Sequence, residues 1–147
     1  MNPKDNPYPD HPSTATRPQI DWNLGESLTG GRVALAATFV RELLQHLGDY
    51  QTAIGNYYAA GDWRALEDKA HQLLGASAYS GVPLLQAAVR RLEMAAGAQV
   101  HGPVTEPVAE PVAEAFQSFN TCVAALRLEA AQDPRLHRVI TQQDHKS

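Results

Sequence analysis

The sequence predicts an all-α fold: an antiparallel four-helix bundle with a short leading helix and disordered N- and C-terminal tails. Three observations carry this. Alanine and leucine together number 38, against 13 isoleucines and valines, so strong helix formers outnumber the stiff β-branched residues that suit strands. No proline occurs between Gln19 and Val82. Apolar residues recur with the 3.6-residue period over four long stretches, each with one stripe to bury against the others.

The elements follow in order. Five of the ten prolines fall in the first 18 residues, among Asn, Asp, Ser and Thr. Residues 1–19 therefore read as a disordered leader, with little apolar surface to offset the entropy of ordering them. The bundle should occupy 20–131. Asp21-Trp22-Asn23-Leu24 opens a short leading helix that Gly30-Gly31 ends. The first long helix runs from about Arg32 to Ala60. It turns Val33, Ala36, Ala37, Val40, Leu43, Leu44, Leu47, Ile54 and Tyr58 inward, with Gly48 and Gly55 as places where it can bend. Asp62 is a good N-cap for the second, whose stripe is Leu66, Ala70, Leu73 and Ser77 and which Ser80-Gly81 should stop. The third carries Pro83 in its first turn, where a missing N–H costs little, buries Leu85, Ala88, Val89, Leu92 and Ala96, and should end at Gly97. Gln99 to Glu110, with Gly102, Pro103 and Pro107, reads as a loop. The fourth long helix runs from about Pro111 to Ala131 with Val112, Phe116, Phe119, Val123 and Leu126 inward. Asp133-Pro134 follows, and 132–147 reads as a polar tail.

Composition narrows the function classes. The chain has 147 residues, 44% of them hydrophobic and 19% charged, which suits one domain with a core. A net charge of -4 leaves no basic surplus for a phosphate backbone, so nucleic acid is not expected as a partner. Nowhere do 18 apolar residues run together and the N-terminus has no apolar signal region, so neither a membrane span nor secretion is expected, and the chain reads as a cytoplasmic monomer. One cysteine, Cys122, cannot form an internal disulfide, and the other histidines, His11, His46, His101, His137 and His145, are scattered, so no metal site is expected. Gly75-Ala76-Ser77 begins a hydrolase-like G-x-S-x-G, but Tyr79 takes the fifth place and the context is helical. No nucleotide-binding loop is present.

One constellation stands out on the second long helix. At about 100° per residue, the core stripe Leu66, Ala70, Leu73 and Ser77 lies within about 40° of one line. His71 projects about 140° away, Gly75 near 180°, Ala78 near 120° and Arg64 near 160°. A mid-helix glycine costs about 1 kcal/mol relative to alanine. A helix that accepts this beside an exposed imidazole is expected to need the space above that imidazole for something large. Taken alone, the pair also fits a solvated histidine and a glycine used in helix packing.

The run Ala70-His71-Gln72-Leu73-Leu74-Gly75-Ala76-Ser77-Ala78-Tyr79-Ser80-Gly81-Val82-Pro83 resembles the histidine-containing phosphotransfer (HPt) domain, with Leu92-Glu93 where that family closes its next helix. It looks most like the HPt domains at the C-terminal ends of hybrid sensor kinases of the BarA and GacS kind. The resemblance spans roughly 20–131, and its specific part is Ala70 to Glu93.

That resemblance implies a phosphocarrier of a multistep two-component phosphorelay. His71 would take a phosphoryl group from a receiver-domain aspartate and pass it to another receiver. Receiver domains of response regulators and of a hybrid sensor kinase would be the partners. No cofactor is implied for the chain itself, the Mg²⁺ coming with the receiver. Arg64, Lys69, Gln72, Leu74, Gly75 and Ala78 would form the receiver-docking surface and the vicinity of the phosphate. Glu67 and Asp68 are placed to orient the imidazole or to stand in solvent. Leu74 departs from the family, which usually has Lys or Arg there. That departure leaves a second reading: a binding module that docks a receiver or another signalling protein and is never phosphorylated.

Overall fold

The computed structural model describes residues 17–101 and 111–137. All regular structure within these residues is helical. The elements are α1 (Trp22–Leu28), α2 (Val33–Ala60), α3 (Trp63–Ala76), α4 (Pro83–His101) and α5 (Val112–Ala131). Each long helix packs on its neighbour in sequence, α5 returns to α2, and α1 lies on α2. The four-helix bundle expected from the periodicity is the observed architecture.

The caps explain the boundaries. Asp21 accepts from the Leu24 amide at 3.0 Å and starts α1, and Thr29-Gly30-Gly31 ends it with both glycines at positive φ. α2 passes through Gly48 and Gly55 as unbroken helix and ends on Gly61 in the left-handed conformation. Asp62 then caps α3 by accepting from the Ala65 amide at 3.2 Å. A two-residue joint of this kind reverses the chain and sets α2 and α3 antiparallel.

The core is the sum of the stripes. Leu47, Ile54, Leu66, Leu73, Leu85, Leu92, Phe119 and Leu126 are fully buried. Alanines 36, 37, 70, 95, 96 and 115 fill the spaces between helices and let the backbones approach closely. At about 25 cal/mol per Å² of apolar surface removed from water, this burial is the main contribution opposing chain entropy.

Several boundaries differ from expectation. α3 ends at Ala76, not at Ser80-Gly81. The Leu74 carbonyl, which would take the next helical amide, instead accepts from Ser77 Oγ at 3.2 Å and Gln86 Nε2 at 3.4 Å. The Ala78 amide turns back one residue short, to Gly75, and the helix unwinds into a turn. α4 does not stop at Gly97 but continues to His101. A Cβ at Gly97 would stand 2.7 Å from Glu67 Oε2, so this glycine makes room for a carboxylate from α3 and does not terminate the helix. The loop expected over Gln99 to Glu110 therefore begins later, and its residues 102–110 lie outside the described residues. Val33 is 52% exposed, and burial on α2 begins at Ala36. Phe116 is half-buried, stacked on Tyr58 at 4.1 Å between centroids.

Packed structure also extends past both expected edges. The Gln19 and Ile20 amides donate to the Glu129 carboxylate at 2.8 and 2.9 Å. Trp22 Nε1 donates to Asp133 Oδ2 at 2.8 Å, and a helical turn over 134–137 buries Leu136. Polar composition hides this docking because the contacts are carried by backbone amides, two carboxylates and one leucine. The rest of the expected leader and tail, 1–16 and 138–147, lies outside the described residues.

Candidate functional site

His71 stands on the outer face of α3 with its side chain 74% exposed. The residues that hold it there are opposite: Leu66, Ala70 and Leu73 have no exposed surface, so the helix cannot roll without lifting its stripe from the core. Gly75, one turn along, is exposed, and a Cβ built on it would meet nothing within 4 Å. Its missing side chain therefore serves no packing within the described fold. It leaves the approach to the imidazole open. Gly75→Ala should raise stability by up to about 1 kcal/mol in thermal or denaturant unfolding, because helix propensity is gained and nothing is displaced.

The second feature comes from α4. His71 Nδ1 lies 2.8 Å from Glu93 Oε2, whose side chain is only 24% exposed. A carboxylate only accepts, so Nδ1 carries the hydrogen in this pair. The neutral imidazole then has its lone pair on Nε2, directed away from Glu93. Burial of the Glu93 stem beside α3 fixes the ring's orientation. This is a nucleophile held by a carboxylate from the neighbouring helix, in a position a large partner can reach.

The remaining expected residues divide. Gln72 is exposed beside His71 and accepts from Lys69 Nζ at 3.2 Å, and that ammonium also lies 5.8 Å from the Tyr50 ring centroid. Lys69 thus faces α2, away from Glu93. Arg64 is exposed but seven residues back, about 10 Å along the helix axis. Leu74 is half-buried against the core, offering only part of its surface to a partner. Ala78 lies past the end of α3 in the turn, so its position on a continuous helical wheel does not apply. Glu67 leaves His71 alone and turns to α4, 3.4 Å from His101 Nε2, while Asp68 is exposed.

Two contributors escape the sequence reading. In the sequence Glu93 is visible only as half of Leu92-Glu93, because its meeting with His71 depends on the offset between α3 and α4. Tyr79 is 59% exposed and packs at 6.4 Å from Phe39, forming with Tyr50 and Ala76 one wall of a groove of about 270 Å³ on the α2 side of α3. A larger cavity, about 610 Å³, lies between α2 and α5 and is lined by Arg41, Arg127 and His137. It touches none of the residues around His71.

Burial pushes the Cys122 thiol up to about 11, which keeps it protonated and unreactive. Among the described residues, no three His, Cys, Asp or Glu side chains are grouped to hold a metal ion. None of the described helices is long and apolar enough to cross a membrane.

The Hpt domain family matches residues 34–133, a span containing nearly all of α2, the whole of α3 to α5 and the His71–Glu93 pair. The chain belongs to this family. Members are phosphocarriers without kinase activity, and in two-component systems they interact with receiver domains. This Hpt domain is also 40% identical over 74 residues to the sensor histidine kinase GacS of Pseudomonas protegens (strain DSM 19095 / LMG 27888 / CFBP 6595 / CHA0). The match covers 50% of the chain but 8% of that kinase. No solved structure matches it. Family and relative together support a histidine phosphotransfer role in two-component signalling.

Proposed function

We propose that His71 is the phosphorylated residue, accepting from a receiver-domain aspartate and donating to another receiver, with the chain acting as a cytoplasmic monomer. The observation that supports this most directly is the 2.8 Å contact that leaves an exposed Nε2 free beside Gly75. In the forward step the Nε2 lone pair attacks the phosphorus of the aspartyl phosphate. An N–P bond forms, the P–O bond to the aspartate breaks, and the carboxylate leaves with the electron pair. The hydrogen on Nδ1 stays in place throughout. The phosphorylated ring thereby gains imidazolium character, and the Glu93 carboxylate opposes that positive charge as it develops. Donation is the reverse step with a second aspartate.

The Mg²⁺ and the charge neutralisation of the transferring group would come with the receiver, so this chain needs neither a metal nor a nucleotide of its own. Gly75, Gln72 and the exposed parts of Leu74 and Ala78 would lie under the receiver's active-site loops. Arg64 and Lys69 would stand at the margins of that surface.

Mixing the chain with radiolabelled phosphorylated receivers from its own cell tests the reading. Acid-labile, alkali-stable label on this chain is expected, and its absence with every receiver would favour the pure docking module. Glu93→Gln should fold normally, since Glu93 has no buried partner, but accept phosphate about tenfold more slowly. The amide lacks the charge that opposes the imidazolium. It can also donate to Nδ1, which moves the ring hydrogen onto Nε2 and removes the attacking lone pair. A Glu93→Gln rate equal to the native one would show that Glu93 does not support the step.

A further inference from the structure

We infer that Arg90, on α4, holds the phosphoryl group on His71, an inference that rests on His71 being the phosphorylated residue. A phosphoryl group on Nε2 brings close to two negative charges into the neighbourhood of the Glu93 carboxylate, which the 2.8 Å contact keeps at the ring. The imidazolium offsets only part of this charge, and α3 provides no further cation beside it. Leu74 is apolar, Lys69 Nζ is engaged with Gln72 and Tyr50, and Arg64 is two turns away.

The register of α3 against α4 locates the alternative. Glu93 meets His71, Gln86 meets the Leu74 carbonyl and Ser77 Oγ, and Gly97 and His101 meet Glu67. The two helices run antiparallel, and position 90 falls between the two polar contacts, across the groove from Leu74. Arg90 is exposed there, and among the described residues it has no hydrogen-bond or ion-pair partner. Its long side chain can sweep the space beside His71 that Gly75 leaves open, and its guanidinium suits a bidentate grip on phosphate oxygens. The basic group thus reaches the phosphate from the helix that also supplies Glu93.

The test loads His71 without a receiver, using phosphoramidate as a small donor, and follows the phosphohistidine by ³¹P NMR across pH. Arg90→Gln should raise the pKa of the bound phosphate by about half a unit at low ionic strength, with the difference shrinking as salt is added. Arg90→Lys should restore most of the native value, and Arg64→Gln, with its charge about 10 Å along the helix axis, should shift it by less than Arg90→Gln does. A merely structural role for Arg90 would move the melting curve but not this titration. Superimposable native and Arg90→Gln titrations would overturn the inference while leaving His71 as the carrier. Failure of the native chain to be phosphorylated on His71 would overturn both.

Discussion

His71→Gln should accept no phosphoryl group from any receiver while folding like the native chain. The side chain is 74% exposed, and its one described contact is to Glu93, which is itself partly exposed and whose carboxylate water can solvate when the imidazole is gone. An exposed pair of this kind contributes at most a fraction of a kcal/mol. Helical circular dichroism should match the native chain, and stability should stay within about 0.5 kcal/mol of it. The chemical loss should be complete, because glutamine has no lone pair of comparable nucleophilicity, and the other described imidazole beside a carboxylate, His101 at 3.4 Å from Glu67, lies on α4 about two turns beyond Glu93 and away from Gly75. Label on the folded His71→Gln chain, in the same acid-labile and alkali-stable form, would move the site elsewhere. Unfolding of that variant would instead mean that His71 is part of the structure's support.

What is legible in the sequence and what is not follows from the range of the interactions. Spacing alone identifies Leu66, Ala70 and Leu73 as the inner stripe of α3, with Ser77 at its C-terminal cap, and all four are buried, because periodicity is a property of one helix. The same projection puts His71 and Gly75 outward, where they stand. It fails at Ala78, since a wheel assumes that the helix continues and the Leu74 carbonyl is taken by Ser77 and Gln86. Gly97 misleads for a related reason. A glycine that ends a helix and a glycine that admits a neighbour's carboxylate look alike until Glu67 is placed beside it. Glu93 is invisible as a functional residue for the same cause: its partner lies 22 residues away on another helix. The candidate site is therefore half local, with the nucleophile and its open face written into α3. The other half, the orienting carboxylate and the proposed phosphate-holding arginine, exists only through the α3–α4 register.

Gly81→Ala should produce the largest loss of stability among the glycine substitutions, about 3 kcal/mol and a fall in thermal midpoint of about 10 °C. Gly81 stands in the turn between α3 and α4 at φ 64, where a side chain costs about 1–2 kcal/mol by itself. The rest of the loss is steric. A Cβ there would lie 2.7 Å from the Asp21 carbonyl oxygen, 2.9 Å from the Gly25 nitrogen and 3.0 Å from the Gly25 Cα. All three are backbone atoms, so no rotamer change relieves the clash. Relief requires α1 to lift away, which would break the 2.8 Å bond from the Asp21 amide to the Gly81 carbonyl and expose Ile20 and Trp22. Gly30→Ala is the control: φ is 70 there, but a Cβ would meet nothing within 4 Å, so only the conformational cost of about 1–2 kcal/mol applies. The difference between the two variants in calorimetry isolates the close approach of α1 to the α3–α4 turn. His71 and Glu93 lie outside that contact, so Gly81→Ala should still accept phosphate at temperatures where it remains folded. Equal midpoints for Gly81→Ala and Gly30→Ala would show that α1 moves aside at no cost and that its docking contributes little to the bundle.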